Sequence, residues 1–180
     1  MKPLILAFAG RIGSGKSTLS KEISEKMKWR RISFGDYVRS VASDRNLDHS
    51  RETLQQLGEA LIVELGWKPF CKAVLDFGNW DPSEPLIVDG VRHLEALNAI
   101  KDIVYPARVA LIFITLPEAE RLERIERRDG VGRVGLTAVD SHSTESQVGF
   151  QLVELADLKV DGSTPVDKLV AQVTSFLQTV

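Results

Sequence analysis

The apolar positions follow two alternating rhythms. LILAFA at residues 4–9, PLIVD at 85–89 and VALIFIT at 109–115 are nearly unbroken apolar runs. Runs of that length without polar alternation suit strands covered on both faces. Residues 30–34 and 158–161 are two further strand candidates. Between these runs the spacing changes to three and four. Leu19, Ile23 and Met27 recur every fourth residue, and residues 35–46 read as a helix. Leu54, Leu57, Leu61, Ile62 and Leu65 share one helical face, with Ser50 as N-cap and Gly66 as stop. Another helix is predicted from Lys68 to about Asn79, where Asp81, Pro82 and Pro85 break the chain. Leu94, Leu97 and Ile100 begin the next helical face, and Pro117 opens a helix at its first turn, where a missing N–H costs nothing. Residues 129–143 keep no firm period and read as a loop, after which Thr144 and Gln147 form a capping box for a resumed helix. Val166, Leu169, Val170, Val173, Phe176 and Leu177 make a final amphipathic helix.

Strands that alternate with helices predict an α/β fold with a mainly parallel sheet. Ligands of such sheets bind beyond the carboxyl ends of the strands. The loops after residues 9, 34, 89, 115 and 161 are therefore where chemistry is expected. The first of them is GRIGSGKS, residues 10–17, which matches G-x-x-x-x-G-K-[ST] at every fixed position. Glycines let successive N–H groups curve around phosphate oxygens. Lys16 supplies a point charge for the β- and γ-phosphates, and Ser17 a hydroxyl for Mg²⁺. The helix that follows aims its positive end at the anion. Gly10, Gly13, Ser14, Gly15, Lys16, Ser17 and Thr18 are thus the candidate ATP-phosphate ligands.

Composition narrows the classes. With 180 residues, 43% apolar and 27% charged, the chain is expected to form one soluble domain with a sizeable core. A net charge of −2 argues against nucleic acid and anionic membrane as partners. The lone Cys71 excludes an internal disulfide framework and a Cys-rich zinc site, and its apolar setting makes it a core residue. Lys2 and the apolar run after it are too short for a secretory leader, and nothing approaches the ~20 apolar residues of a membrane span. A cytoplasmic protein, monomeric or a small homo-oligomer, is the expectation.

Four later segments resemble the nucleoside monophosphate kinases. ISFGDYVRSVA, residues 32–42, is similar to the ISTGDMLR segment of adenylate kinases, LIVDGVRH at 86–93 to LLDGFPR, and VDGSTPVDKL at 160–169 to VDGTKPV. LPEAERLERIERRDGVGRV, 116–134, looks like the start of the family's lid. With the phosphate loop, these segments follow the family's order over nearly the whole chain. The broad group includes dephospho-coenzyme A kinase and phage deoxynucleotide kinases. The resemblance implies a three-layer α/β/α P-loop kinase fold with five parallel strands, an acceptor region near 36–80 and a lid near 125–148. It implies that Arg39 and Arg92 contact an acceptor phosphate, with Asp36 beside them. Asp89 would hold a water of the Mg²⁺ shell, Arg124 and Arg128 would be catalytic lid arginines beside Lys16 and Arg92, and Gly162 and Ser163 would back the adenine of ATP. Mg²⁺ and ATP are the implied cofactors, and a small phosphorylated metabolite the acceptor.

Each position also has a plainer reading. Arg39 could pair with Asp36 or Glu52, Asp89 could be a turn residue before Gly90, and RLERIERR reads on its own as a solvated, salt-laced helix face. Arg121 and Arg127 are expected at the surface. His49, His93 and His142 have no required role, because a phosphate acceptor is already anionic and needs no general base. Trp67 and Trp80 read as core, with stacking on an acceptor base as the alternative for them. Two departures concern the acceptor. Gly149 and Gln151 stand where the family places further arginines, for which Arg127 or Arg133 could substitute, and HLEALNAI lacks the family's base-reading glutamine. Phosphorylation of a nucleoside or deoxynucleoside monophosphate is the leading expectation. The alternatives are transfer to a hydroxyl, as on dephospho-coenzyme A with Asp36 as base, and a regulatory nucleotide-binding module with weak ATPase activity.

Overall fold

The computed structural model describes residues 3–129 and 151–180, the side chains at 128 and 129 excepted. Five strands form one sheet: β1 (Leu4–Ala9), β2 (Arg30–Ser33), β3 (Leu86–Val91), β4 (Arg108–Thr115) and β5 (Leu158–Asp161). Their order is β2-β3-β1-β4-β5, and each neighbouring pair is parallel. The helices between them are α1 (Lys16–Met27), α2 (Phe34–Asp44), α3 (Arg51–Leu65), α4 (Trp67–Phe77), α5 (Leu94–Val104), α6 (Glu118–Asp129) and α7 (Val166–Leu177).

The unbroken apolar runs are explained by cover on both faces. Ile5, Ala7 and Ala9 of β1 point into a core shared with Leu61, Phe70, Val74, Leu97 and Ile100 of α3, α4 and α5. Leu6 and Phe8 point the other way, into a core with Leu19 and Ile23 of α1 and Leu169 and Val173 of α7. The result is the three-layer α/β/α arrangement expected from the sequence.

Local chemistry sets the element ends. Ser50 Oγ accepts the Thr53 N–H at 3.2 Å and caps α3 as predicted. Gly66, with φ 81, both ends α3 and starts α4, so α4 begins at Trp67. The third strand runs past the predicted end at residue 89. Asp89 pairs with Phe8 on one side and Ser33 on the other, and the register shift at Phe8/Ala9 takes up Gly90 as an extra residue. Asp89 is therefore a strand residue and not a turn residue. The predicted loop 129–143 and capping box at Thr144 lie largely outside the described residues. No described helix is long and apolar enough to cross a membrane.

Candidate active site

β1 lies at the centre of the sheet, between β3 and β4. The connection from its carboxyl end runs to β2 at one edge, while that from the neighbouring β3 runs to β4 on the other side, so the ends of β1 and β3 open a crevice of the kind in which α/β sheets bind ligands. The phosphate loop fills the end of β1. Gly13 has φ 86, and a Cβ there would lie 2.9 Å from Ile125 Cγ1 and 3.1 Å from Arg121 Cγ. Glycine is thus required twice, for its left-handed backbone and for the close approach of α6. Gly15 caps α1 in the left-handed region, and Lys16 and Ser17 begin the helix with Thr18 behind them. Lys16 is 7% exposed, and its Nζ donates to the Arg11 carbonyl at 3.5 Å. Gly10 and Ser14 pack together beneath the loop: a Cβ on Gly10 would sit 2.7 Å from Ser14 Oγ.

On the β2–β3 side lies a cleft of about 700 Å³. Gly13, Lys16 and Ser17 form one wall of it, with Asp89 and Arg92 from the end of β3 and Arg39 from α2. The sequence-derived phosphate, metal and acceptor candidates therefore meet in one space. Arg39 also pairs with the Asp36 carboxylate, both side chains being about half exposed. Asp36 itself turns to Arg39 and, at 3.5 Å, to Arg31. Ser33 Oγ accepts the Asp36 N–H at 3.3 Å and caps α2.

Sequence reasoning left Arg51, Gln55 and Glu59 of the lining unassigned and gave His49 and His93 no required role. His49, Arg51, Gln55, Glu59 and His93 all face the cleft. The Trp67 and His93 rings lie 4.7 Å apart, inclined at 50°. Trp67 packs partly against the core, as the first of its sequence readings expects, and also lines the cleft. Trp80 packs against the same core.

Two inward-turned arginines, Arg31 partly buried and Arg121 buried, were also missed. Arg31 of β2 binds the Asp89 carboxylate and donates from Nε to Ser20 Oγ at 2.9 Å. Ser20 Oγ in turn donates to the Ser17 carbonyl at 3.1 Å. Arg121 corrects an expectation: it is 1% exposed and not at the surface. Its Nη1 donates to the Ile12 carbonyl at 3.4 Å, and its stem packs under Gly13. The signal was its position one turn before Ile125, the buried apolar residue of the same helix. Arg127 is exposed and paired with Glu123 at 3.1 Å, as expected.

The β4–β5 side carries the remaining candidates. Arg124 Nη2 donates to the Gly162 carbonyl at 2.9 Å, and its Nη1 lies 3.6 Å from where a Cβ on Gly15 would be. Ser163 Oγ donates to Glu120 at 3.0 Å. Arg124, Gly162 and Ser163 therefore gather where the loop after β5 meets the phosphate loop. Arg128 lies on α6 with its side chain outside the described residues, as do Arg133, His142 and Gly149 entirely. Gln151 is exposed.

The donor set fits a divalent cation that keeps several waters. Asp89 is 1% exposed, and among the described residues nothing donates to its Oδ1. A buried carboxylate oxygen without a donor is costly unless a cation or its water shell completes it. The Ser17 hydroxyl lines the same space.

With the phosphate loop at the switch point of the sheet and an arginine-lined cleft beside it, the fold is that of the P-loop kinases. A model of an AAA domain family matches residues 6–133, and the chain belongs to that family. It is 30% identical over 125 residues to a UPF0200 protein of Aeropyrum pernix, a match covering 69% of this chain and 65%, just under two thirds, of that relative. A cytidylate kinase of Methanocella arvoryzae is 26% identical over 136 residues, covering 71% of this chain and 65% of the relative. Among solved structures, shikimate kinase from Aquifex aeolicus is 20% identical with a TM-score of 0.61, covering 97% of this chain and 96% of that one. The Mycobacterium tuberculosis APS kinase, solved with AMPPNP and APS, is 15% identical with a TM-score of 0.64 and 98% coverage of each chain. These last two are likenesses of fold.

Proposed function

We propose that this protein transfers the γ-phosphoryl group of ATP to a small phosphorylated metabolite, a nucleoside or deoxynucleoside monophosphate. One observation carries the reading: Arg39, Arg51 and Arg92 line the same cleft as Lys16 and Ser17 of the phosphate loop. Phosphoryl transfer needs two anionic reactants held in line and their charge neutralised, and that work is mostly positioning and electrostatics. The loop takes the ATP phosphates, and Lys16 meets the β- and γ-groups. Arg39 and Arg92 hold the acceptor phosphate. Arg124 and Arg128 neutralise charge on the transferring group, and the Gly162–Ser163 turn backs the adenine. Ser17 and the waters held by Asp89 would bind Mg²⁺, which supplies neutralisation of the β- and γ-oxygens when bound. An acceptor phosphate oxygen forms the new bond to the γ-phosphorus as the β–γ bridging oxygen departs, giving ADP and a nucleoside diphosphate. That oxygen is already anionic, so no base is required.

The apolar part of the cleft supports a flat, partly apolar acceptor. Phe34, Leu54, Ile62, Trp67 and Phe70 share its lining with the arginines. Asp36, the base candidate for a hydroxyl acceptor, is engaged by Arg31 and Arg39. The test is ADP release from Mg–ATP in the presence of nucleoside and deoxynucleoside monophosphates, dephospho-coenzyme A, shikimate and gluconate. Stimulation by monophosphates is the expected result. Stimulation only by the hydroxyl acceptors, or by none, overturns the reading.

A further inference from the structure

Residue 31 is an arginine where the packing calls for an apolar side chain. In the β2–β3 register Arg31 lies beside Ile87, and Ser33 beside Asp89. Alternate residues of a strand share a face, so Arg31, Ile87 and Asp89 project to the same side of the sheet. Ile87 packs there with Phe8, Leu19 and Ile23 in the core beneath α1. A mostly buried cation is costly in that setting unless its donors are matched. Each nitrogen of the Arg31 guanidinium is matched to a different residue. Nη2 binds Asp89 Oδ2, Nη1 lies 3.5 Å from Asp36 Oδ2, and Nε donates to Ser20 Oγ at 2.9 Å. Ser20 is buried and carries the link onward, donating to the Ser17 carbonyl at 3.1 Å.

One rigid fork therefore sets the end of β3 against the first turn of α1, the two elements that bring Asp89 and Ser17 to the cleft. It also decides which carboxylate oxygen is left over. Arg31 takes Asp89 Oδ2, while Oδ1 is buried and has no donor among the described residues. The Asp36 contact adds little, since that carboxylate is 44% exposed.

We infer that Arg31 is a positioning residue for the divalent cation of the nucleotide complex. It fixes the Asp89 carboxylate and, through Ser20, the Ser17 turn in the arrangement that accepts the cation and its water shell. This inference rests on the reading above that Ser17 and Asp89 serve Mg²⁺ beside the ATP phosphates, and it is independent of the acceptor. Residues that hold the ligands rather than the metal govern metal affinity, because they fix the orientation of those ligands. Lysine cannot replace this arginine. Its single nitrogen carries the same charge but does not span Asp89 and Ser20 as a planar fork does. A role of charge alone survives Arg31→Lys, and a role of geometry does not.

The test reads cation binding and not turnover. Mn²⁺, which takes the same oxygen donors as Mg²⁺, is titrated into the protein–ADP complex, and free Mn²⁺ is followed by electron paramagnetic resonance. Arg31→Lys should weaken Mn²⁺ binding by about tenfold or more, with the affinity for ADP in EDTA unchanged. In an Asp89→Asn background the same substitution should cost little, since the carboxylate it positions is gone. Ser20→Ala removes the step to Ser17 and keeps the ion pair. It should weaken Mn²⁺ binding several-fold, and it decides the matter if Arg31→Lys does not fold. Unchanged Mn²⁺ affinity, an equal loss of ADP affinity in EDTA, or equal losses in both backgrounds overturns the inference. A parent complex that binds Mn²⁺ no more tightly than free ADP does overturns the Mg²⁺ assignment with it. Failure of every monophosphate as acceptor, with Mn²⁺ binding still dependent on Arg31, overturns the acceptor reading alone.

Discussion

The guanidinium of Arg31 binds the buried carboxylate of Asp89 and reaches Asp36 at 3.5 Å. One cation thus joins the residue assigned to the metal shell with the helix that carries Arg39. The Arg31 side chain is 14% exposed and that of Asp89 2%, so removing either leaves a charge with little solvent to screen it.

Arg31→Met should therefore destabilise the protein by about 3–5 kcal/mol in urea unfolding. Adding Asp89→Asn should restore part of that loss, because the uncompensated charge disappears. The double-mutant cycle should give a coupling above about 1 kcal/mol. Simple additivity would show that the pair is not energetically linked.

Arg121→Met keeps an apolar stem under Gly13 but removes the donor to the Ile12 carbonyl. Hydrogen bonds from charged donors are worth about 1.5–3 kcal/mol. The loop should lose definition, and ATP should bind about tenfold more weakly by titration calorimetry. Unchanged ATP affinity would mean that Arg121 only fills space.

Gly162→Ala tests the meeting of the β5 loop with the phosphate loop. A Cβ at 162 would lie 2.6 Å from the Ser14 carbonyl oxygen and 2.9 Å from that of Thr115, both backbone atoms that cannot swing aside. The KM for ATP should rise several-fold, and more than the KM for the acceptor. A selective rise in the acceptor KM would place the loop on the wrong side of the site.

Cys71 is a core thiol, 1% exposed, and burial pushes its pKa from 9.0 up to about 12. It should resist thiol-specific reagents at pH 8 in the native state and react once the chain is unfolded. Since the folded pKa is raised, the unfolded chain loses its proton first. The thiol's contribution is whole below pH 9 and is lost as pH climbs toward 12, by up to about 1.4 kcal/mol per pH unit. Cys71→Ala should flatten that part of the stability profile.

The parts of this molecule legible in its sequence are those written locally. The runs at residues 4–9 and 109–115 appear as the strands β1 and β4, buried at 5–9 and 110–114, because a strand buried on both faces needs no alternation. The phosphate loop is legible because its glycines, lysine and serine act through neighbouring backbone. Arg39, Asp89 and Arg92 were picked out by the resemblance to the nucleoside monophosphate kinases, and their places after strands agree with where such folds bind ligands. The rest depends on packing. Periodicity in α3 reports Leu57 and Leu61, which face the core, but the adjacent face with Arg51, Gln55 and Glu59 looks like ordinary surface until α3 is set across the cleft. Arg121 was hidden in a run of charges that, taken alone, reads as solvated. Only the passage of α6 beneath Gly13 makes one of them internal.

The central claim is transfer of phosphate from ATP to a nucleoside monophosphate. It is tested most directly by following γ-labelled phosphate from Mg–ATP in the presence of each monophosphate. Label should appear in a nucleoside diphosphate, in amounts equal to the ADP formed, and Lys16→Ala should slow the transfer by about 100-fold or more. Label recovered only as inorganic phosphate with every acceptor, or undiminished transfer by Lys16→Ala, would contradict the account.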